Sequence, residues 1–435
     1  MTLRSAINRT LLRALRPGVL EAGRRLDGVA RMSPDELYAW QLARLRDLLR
    51  HWLAVPAYAR LLVRDVTAAE FTSTDHLPSL PVMTKAMITE GLDAWRAQAP
   101  AATVNSTSGS SGVNFRFLQD RPMRDANSAA VHWAYGTAGA DYWGDRRLVI
   151  WGHSPALGWR NRWAEEIKVF CLNARSLQAY GLDDQHADQY LDHLDRWRPR
   201  ILEGYPTYLN QMARRGLATR TTSHAPEVVI TSGEQLDPEH RLAIEEFFRA
   251  PVSNRYGSRE FGVIAQGVPG AEVCLVPPSR FLLETDERGA LLVTDLDNRA
   301  TPFIRYACGD LGLVTRGHDQ APGFAGQVIS RLAGRVHDCI TSPAGRLIPG
   351  QYWTLLSRSV PGIDEFQVYQ RRDGRIELRV SRQSTLADDH RRSLIERFNV
   401  EFPEVPEFSV VTVDGFERTA LGKRKFVIRE VEHDA

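Results

Sequence analysis

The chain has 435 residues, more than one hydrophobic core usually serves, so two or three domains are expected. Apolar residues make up 43% and charged residues 25%, which excludes collagen-like and disordered classes and leaves a globular, enzyme-sized protein. Net charge is only +2, from 55 Lys plus Arg against 53 Asp plus Glu, so no global field would hold the protein on nucleic acid or an anionic membrane.

From the N-terminus, the basic stretch Arg4 to Arg25 carries Leu11, Leu12, Leu15 and Leu20 and reads as an amphipathic helix. It can lie on a membrane, serve as a targeting segment or pack on its own domain, and packing is the expected outcome. No apolar run approaches the ~18 residues that span a bilayer, and no signal-peptide core is visible, so no membrane span and a cytoplasmic location are expected. Tyr38, Leu42, Leu45, Leu49 and Trp52 recur at steps of four and three, which predicts a helix between Asp35 and Val55. Another helical stretch starts at Thr84. Strands are predicted at Arg147 to Trp151, Val228 to Ile230, Val252 to Tyr256 and Leu291 to Thr294, with helices at Gln185 to Trp197, Pro206 to Arg215 and Pro238 to Phe248. That alternation implies a layered α/β domain with a largely parallel sheet. After a strand-like Gln327 to Ile329 the pattern changes: strands at Glu365 to Gln370, Arg375 to Val380 and Phe408 to Val413 flank a helix at Ala387 to Phe402. The expected organisation is a large domain over residues 1–330 and a small α+β domain over 331–435. Cys171, Cys274, Cys308 and Cys339 are scattered, with no CxxC pair, and read as small core residues.

Four groups of residues can carry chemistry. The run Ser106, Thr107, Ser108, Gly109, Ser110, Ser111 and Gly112 puts hydroxyls beside glycines, which suits either a phosphate cradle or a plain surface loop. It is no Walker loop, because Gly-Lys-Ser/Thr never appears. In Tyr256-Gly257-Ser258-Arg259-Glu260 the carboxylate of Glu260 can bind a Mg²⁺ that bridges nucleotide phosphates, or be a solvated turn residue. Gly309-Asp310 can hold ribose hydroxyls or simply make a β-turn, while Arg316 and Arg335 can be fixed cations or surface residues. Lys423, in the run Glu417 to Lys425, can neutralise growing charge on phosphate and carboxylate oxygens or belong to a solvated tail.

Taken in order, these groups resemble the adenylate-forming superfamily, and within it the phenylacetate-CoA ligase-like branch with its CapK-type homologues. The similarity extends through Val55 to Tyr58, Leu80 to Lys85, Glu203 to Pro206, Thr231 to Leu236, Ile304 to Tyr306, Gly334 to Asp338 and Gly422-Lys423, over nearly the whole chain. It implies a large adenylation domain with a small mobile α+β domain that rotates between two half-reactions near Ser330 to Arg335. The implied activity is ATP-dependent activation of a carboxylic acid to an acyl-adenylate with pyrophosphate release, then acyl transfer to CoA; an amine or a carrier-protein thiol is the alternative acceptor. The resemblance puts Ser106 to Gly112 on the phosphates, Gly233, Glu234, Tyr256 and Gly257 around adenine, Ser258 among the nucleotide-binding residues and Asp310 on the ribose, with Arg316 or Arg335 nearby. It makes Glu260 the Mg²⁺ ligand and Lys423 the mobile lysine of the adenylation step. By position, His132, Trp133, Tyr135, Trp151, Gly152, His153 and Tyr205 would form an aromatic acyl pocket, suited to a flat or modestly apolar acid. The chain departs from the branch in Gly112-Val-Asn-Phe-Arg116, where relatives continue Gly-x-Pro, and after Glu260, where no Cys or His pair suggests zinc. A catalytically inert nucleotide-binding protein is the competing class.

Overall fold

The computed structural model describes residues 8, 10, 12–62, 66–108, 114–151, 173–179, 184–219, 224–317, 321–335, 340–344, 347–348, 352–353, 356–357, 359–363, 365–382, 384–417 and 427–430. Two helices lead. α1 (Pro17–Val29) buries Val19, Ala22 and Leu26 and packs on Ala126 and Ala129, but the single helix expected over Arg4 to Arg25 is broken at Arg16, before Pro17, and Leu15 is exposed while Leu12 joins the contact. α2 (Pro34–Leu53) opens with a capping box between Ser33 and Glu36, has Pro34 at its first position and ends with Arg50 and His51, all matched to the helix dipole. Its buried stripe is Leu37, Gln41, Leu45, Leu48, Leu49 and Trp52, so Leu45, Leu49 and Trp52 of the predicted periodicity are buried while Tyr38 and Leu42 are half-buried at its edge.

A two-stranded hairpin follows, β1 (Thr103–Ser108) antiparallel to β2 (Asn114–Gln119). Asp120 then caps α3 (Arg121–Thr137) through the Met123 amide at 2.9 Å, and its other oxygen accepts from the Arg299 amide at 3.0 Å. The central sheet takes its strands in the order β10 (Phe281–Thr285), β11 (Ala290–Asp295), β12 (Tyr306–Arg316), β13 (Gln327–Arg335), β9 (Cys274–Leu275), β8 (Gly262–Gly267), β7 (Val252–Ser258), β6 (Val228–Ser232), β5 (Ile201–Gly204), β3 (Arg147–Trp151) and β4 (Ala174–Gln178). One half, β3 (Arg147–Trp151), β4 (Ala174–Gln178), β5 (Ile201–Gly204), β6 (Val228–Ser232) and β7 (Val252–Ser258), is parallel. These strands alternate with α4 (Asp184–Trp197), α5 (Pro206–Thr219) and α6 (Pro238–Phe248), and β5 is buried at every position, as a parallel strand covered on both faces requires.

The other half is antiparallel: β8 (Gly262–Gly267), β9 (Cys274–Leu275), β10 (Phe281–Thr285), β11 (Ala290–Asp295), β12 (Tyr306–Arg316) and β13 (Gln327–Arg335). The sheet is therefore mixed, not largely parallel. Turn-linked strands without crossover helices build the second half, among them the predicted strands Leu291 to Thr294 and Gln327 to Ile329. The boundary expected after residue 330 also falls inside an element. β13 stays paired with β12 as far as Arg335, so residues 331–335 belong to the large sheet.

Beyond it lie the short pair β14 (Ile340–Thr341) and β15 (Leu347–Ile348), then a four-stranded sheet in the order β18-β17-β16-β19. Its strands are β16 (Phe366–Gln370), β17 (Ile376–Ser381), β18 (Phe408–Val413) and β19 (Val427–Arg429). Against it packs α7 (Asp388–Glu401), and Trp353, Leu394, Phe398 and Phe408 share a core distinct from those of the large sheet. Among the described residues no helix is long and apolar enough to cross a membrane.

A buried ionic cluster ties the leading helices to the sheet. Arg280 is 1% exposed and sits 3.6 Å from both Asp295 and Asp297, while Arg25 of α1 reaches Asp297 at 2.6 Å. Burial, with Asp297 and Asp120 adding to it and Arg280 opposing it, pushes the Asp295 carboxyl up to about 6. A carboxyl whose pKa is higher folded than unfolded supplies stability that is full below about pH 4 and lost as pH rises through about 6. Asp295→Asn lacks that dependence. Its unfolding free energy, measured in denaturant, is expected to improve relative to the parent chain as pH rises from about 4 to 7.

Candidate functional site

The carboxyl ends of the parallel strands bring Trp151, Tyr205, Gly233 and Tyr256 to one edge of the sheet, where ligands of open α/β sheets generally bind. Trp151 ends β3 and stacks on Tyr205, just beyond β5, with ring centroids 4.2 Å apart and planes at 18°. Gly233 follows β6 with φ of +83°, and a Cβ there would lie 2.8 Å from the Tyr205 ring and 3.1 Å from Trp151. Only glycine lets the backbone run along this aromatic pair. Next to it, the Glu234 carboxylate accepts from the Thr207 amide at 3.2 Å and so caps the first turn of α5.

β7 supplies the next group. Between Tyr256 and Gly257 its register against β8 shifts, and a Cβ on Gly257 would come within 2.2 Å of the Gly262 carbonyl oxygen. The Tyr256 hydroxyl donates to Asp310 Oδ2 at 2.7 Å, with Cys308 Sγ at 3.6 Å. Burial, then Cys308 and Asp310, push the Tyr256 hydroxyl well above its usual range, so it remains a donor. Burial and Asp310 likewise push the Cys308 thiol up to about 12. Asp310 stands opposite Arg335 in the β12–β13 register. Arg316 does not join them: it is exposed and lies opposite Gln327, six residues along β12, about 20 Å away at ~3.3 Å per residue. The Ser258 hydroxyl is buried without a hydrogen-bond partner among the described residues.

Glu260 lies in the turn between β7 and β8, is 7% exposed and has no cationic partner among the described residues. Its negative charge, after burial, pushes up the Tyr306 hydroxyl. An ionised carboxylate so enclosed is costly unless a cation joins it, which suits a divalent-metal donor.

The hairpin and this turn pack on the same segment, Asn298 to Tyr306. Phe115 stacks on Tyr306 at 6.1 Å, Phe117 meets Phe303 edge-on at 5.9 Å, and Phe261 packs against both Phe303 and Tyr306. Thr301 Oγ1 accepts from the Leu118 amide at 2.8 Å, and Asn298 donates to the Leu118 carbonyl at 3.2 Å. Of the phosphate-loop candidates, Ser106 is exposed on β1, Thr107 and Ser108 end that strand, and Gly109, Ser110, Ser111 and Gly112 lie outside the described residues. Gly152, His153 and Lys423 also lie outside them.

Three expected pocket residues are elsewhere. Tyr135 is buried in the core, where its hydroxyl donates to Glu203 and accepts from Arg147 at 2.9 Å; Arg255 reaches Glu203 at 2.8 Å. Burial and Glu203 push this hydroxyl up to about 12. His132 and Trp133 face α1 and line a cavity of about 710 Å³, which neither Trp151 nor Tyr205 lines. The reason is helical geometry. The face of α3 carrying Ala130, Ala134 and Tyr135 packs on the sheet, which leaves His132 and Trp133 half-buried at its margin, toward the cavity beside α1.

No family model matches the chain. Protein CapK of Staphylococcus aureus is 24% identical over 265 residues, a match covering 58% of this chain and 57% of CapK. A structure of 2-hydroxyisobutyryl-CoA ligase in the postadenylation state, in complex with R3-HIB-AMP, superposes with a TM-score of 0.67 at 18% identity, covering 92% of this chain and 91% of that one. The same ligase in an open conformation with 2-HIB-AMP and CoA gives 0.63 at 18% identity, with 92% and 93% covered. The fold is that of the adenylate-forming ligases. Fatty acyl-adenylate ligases from E. coli and L. pneumophila share it more loosely, with a TM-score of 0.53 at 16% identity over 74% of this chain and 67% of theirs.

Gln119, Cys308 and the Glu203–Arg255 pair adjoin candidate site residues, and no sequence motif assigns them a site role. Only Glu203 had a signal, its place beside Gly204 and Tyr205. Gly257→Ala is expected to cost about 1–3 kcal/mol in denaturant unfolding, because its methyl meets backbone. Gly136→Ala, in α3 with nothing within 4 Å, should be neutral or stabilising by up to about 1 kcal/mol.

Proposed function

We propose that the protein activates a carboxylic acid with ATP, forming an acyl-adenylate and pyrophosphate, and then passes the acyl group to CoA. The observation that carries the reading is one assembly: the β1–β2 hairpin bonded through Gln119 to the turn that carries the enclosed Glu260 carboxylate, beside the Tyr256–Asp310 pair. CoA as acceptor is supported by the likeness to a ligase whose structure holds both 2-HIB-AMP and CoA.

On this reading Asp310 accepts from ribose hydroxyls while Tyr256 holds its second oxygen. Gly233 and Gly257 let the adenylate lie against bare backbone. Glu260 would hold Mg²⁺, which supplies charge neutralisation on the phosphates. The hairpin amides and hydroxyls surround the β- and γ-phosphates, and Arg335 stands by the ribose and α-phosphate. Lys423 then contacts the attacking carboxylate and the α-phosphate. The carboxylate displaces pyrophosphate, and no protein nucleophile is needed because the work is stabilisation of growing charge. The Trp151–Tyr205 stack favours an aromatic or compact apolar acid, in keeping with the phenylacetate-CoA ligase-like branch. The C-terminal layer, residues 336–435, would be the mobile domain, because β13 keeps residues up to Arg335 in the large sheet.

The test is pyrophosphate and AMP release from ATP and Mg²⁺ across aromatic and aliphatic acids, with and without CoA, beside Lys423→Ala. Acid-dependent pyrophosphate is expected to fall by a factor on the order of 10²–10³ in the variant with ATP binding retained, and steady turnover is expected to need CoA. Turnover with an amine or a carrier thiol and not with CoA would correct the acceptor. No pyrophosphate with any acid would overturn the adenylation reading.

A further inference from the structure

We propose that Gln119 is a positioning residue: it locks the Glu260 turn to the phosphate hairpin, so that a magnesium ion carried by ATP meets a carboxylate already in place. The inference rests on the adenylation reading and concerns the same site.

Gln119 is the last residue of β2, at the base of the hairpin, and is 6% exposed. Its Nε2 donates to the Glu260 carbonyl at 3.1 Å and to the Arg259 carbonyl at 3.5 Å. Its Oε1 accepts from Asn105 Nδ2 on β1 at 3.3 Å, so one amide joins both hairpin strands to the turn. The next carbonyl, that of Phe261, accepts from Arg280 at 3.3 Å. Three successive carbonyls, at 259, 260 and 261, are thus held by side chains from outside. A buried amide is costly where a similar apolar side chain would pack, unless its hydrogen bonds are needed. What these bonds hold is the backbone beneath the enclosed carboxylate.

Magnesium makes the requirement strict. It demands near-octahedral geometry at about 2.0–2.1 Å, and here the carboxylate comes from one element and the phosphate cradle from another. The aromatic contacts tie both elements to Phe303 and Tyr306 without joining one to the other, so they leave the two free to shift against each other. A directional amide bridge removes that freedom.

The experiment measures calorimetric ATP binding without acid as a function of free Mg²⁺, together with acid-dependent pyrophosphate release and thermal unfolding, in the parent chain, Gln119→Met and Asn105→Ala. For Gln119→Met the Mg²⁺ concentration at half-maximal ATP binding should rise about tenfold, the usual effect of losing an outer partner of a metal ligand, and kcat should fall with the KM for the acid unchanged. Asn105→Ala, which keeps Gln119, should shift the same midpoint by a smaller factor, and it carries the test alone if Gln119→Met does not fold. Unshifted Mg²⁺ midpoints beside a Mg²⁺-dependent, pyrophosphate-releasing parent would overturn this inference and leave the adenylation reading intact. A parent chain that binds ATP without regard to Mg²⁺ and releases no pyrophosphate would overturn the reading and the inference together.

Discussion

β7 hydrogen-bonds to a parallel neighbour on one side and to an antiparallel one on the other, and the site's geometry follows from that position. The parallel side points the ends of β3, β5, β6 and β7 the same way, which gathers Trp151, Tyr205, Gly233 and Tyr256 at one edge. The antiparallel side forces a tight turn after Ser258, and that turn carries Glu260. The register shift at Gly257 gives β7 a local kink where the two regimes meet. A β-carbon at that point has no room, so the identity of the residue follows from the backbone alone.

Such a junction needs support from beneath, and the buried polar residues supply it. Arg255, one position before Tyr256, pairs with Glu203, one position before Gly204; Gln266 of β8 accepts from Arg255 at 2.8 Å and donates to Ser253 at 2.7 Å. Two arginines, one glutamate and a tyrosine hydroxyl in the core are a costly way to gain stability, since desolvation offsets most of the attraction. Their bonds are directional, however, and they join β5, β7 and β8 to α3 in one register. Apolar side chains in their place would pack but would not define that register so sharply.

How much of this was legible in the sequence depended on the length scale of each signal. α2 and α6 were visible because their caps, prolines and apolar stripes are local, and Pro238 to Phe248 matches the observed helix end for end. Gly233, Tyr256 and Asp310 could be singled out because they sit in short motifs whose order along the chain carries information. Their meeting in space, through a hydroxyl and a carboxylate 54 positions apart, could not be read locally. Arg316 and Tyr135 mark the limit. Each is of the right chemical type and close in the chain to site residues, yet strand pairing carries Arg316 to the far end of β12 and helical rotation turns Tyr135 into the core. Gln119 carried no signal, because a lone glutamine at a strand end looks like surface until its partners are known.

β13 runs in register with β12 to Arg335, so Asp310, Tyr256 and the aromatic pair all lie on one side of any pivot beyond that strand. An activated acyl group held there would have its leaving group gripped by the stationary body, while only the groups that change its chemistry travel. On the proposed reading, a water-sensitive intermediate would stay bound between two reactions, so that its loss to bulk solvent would compete with the movement of a domain and not with the capture of a new molecule.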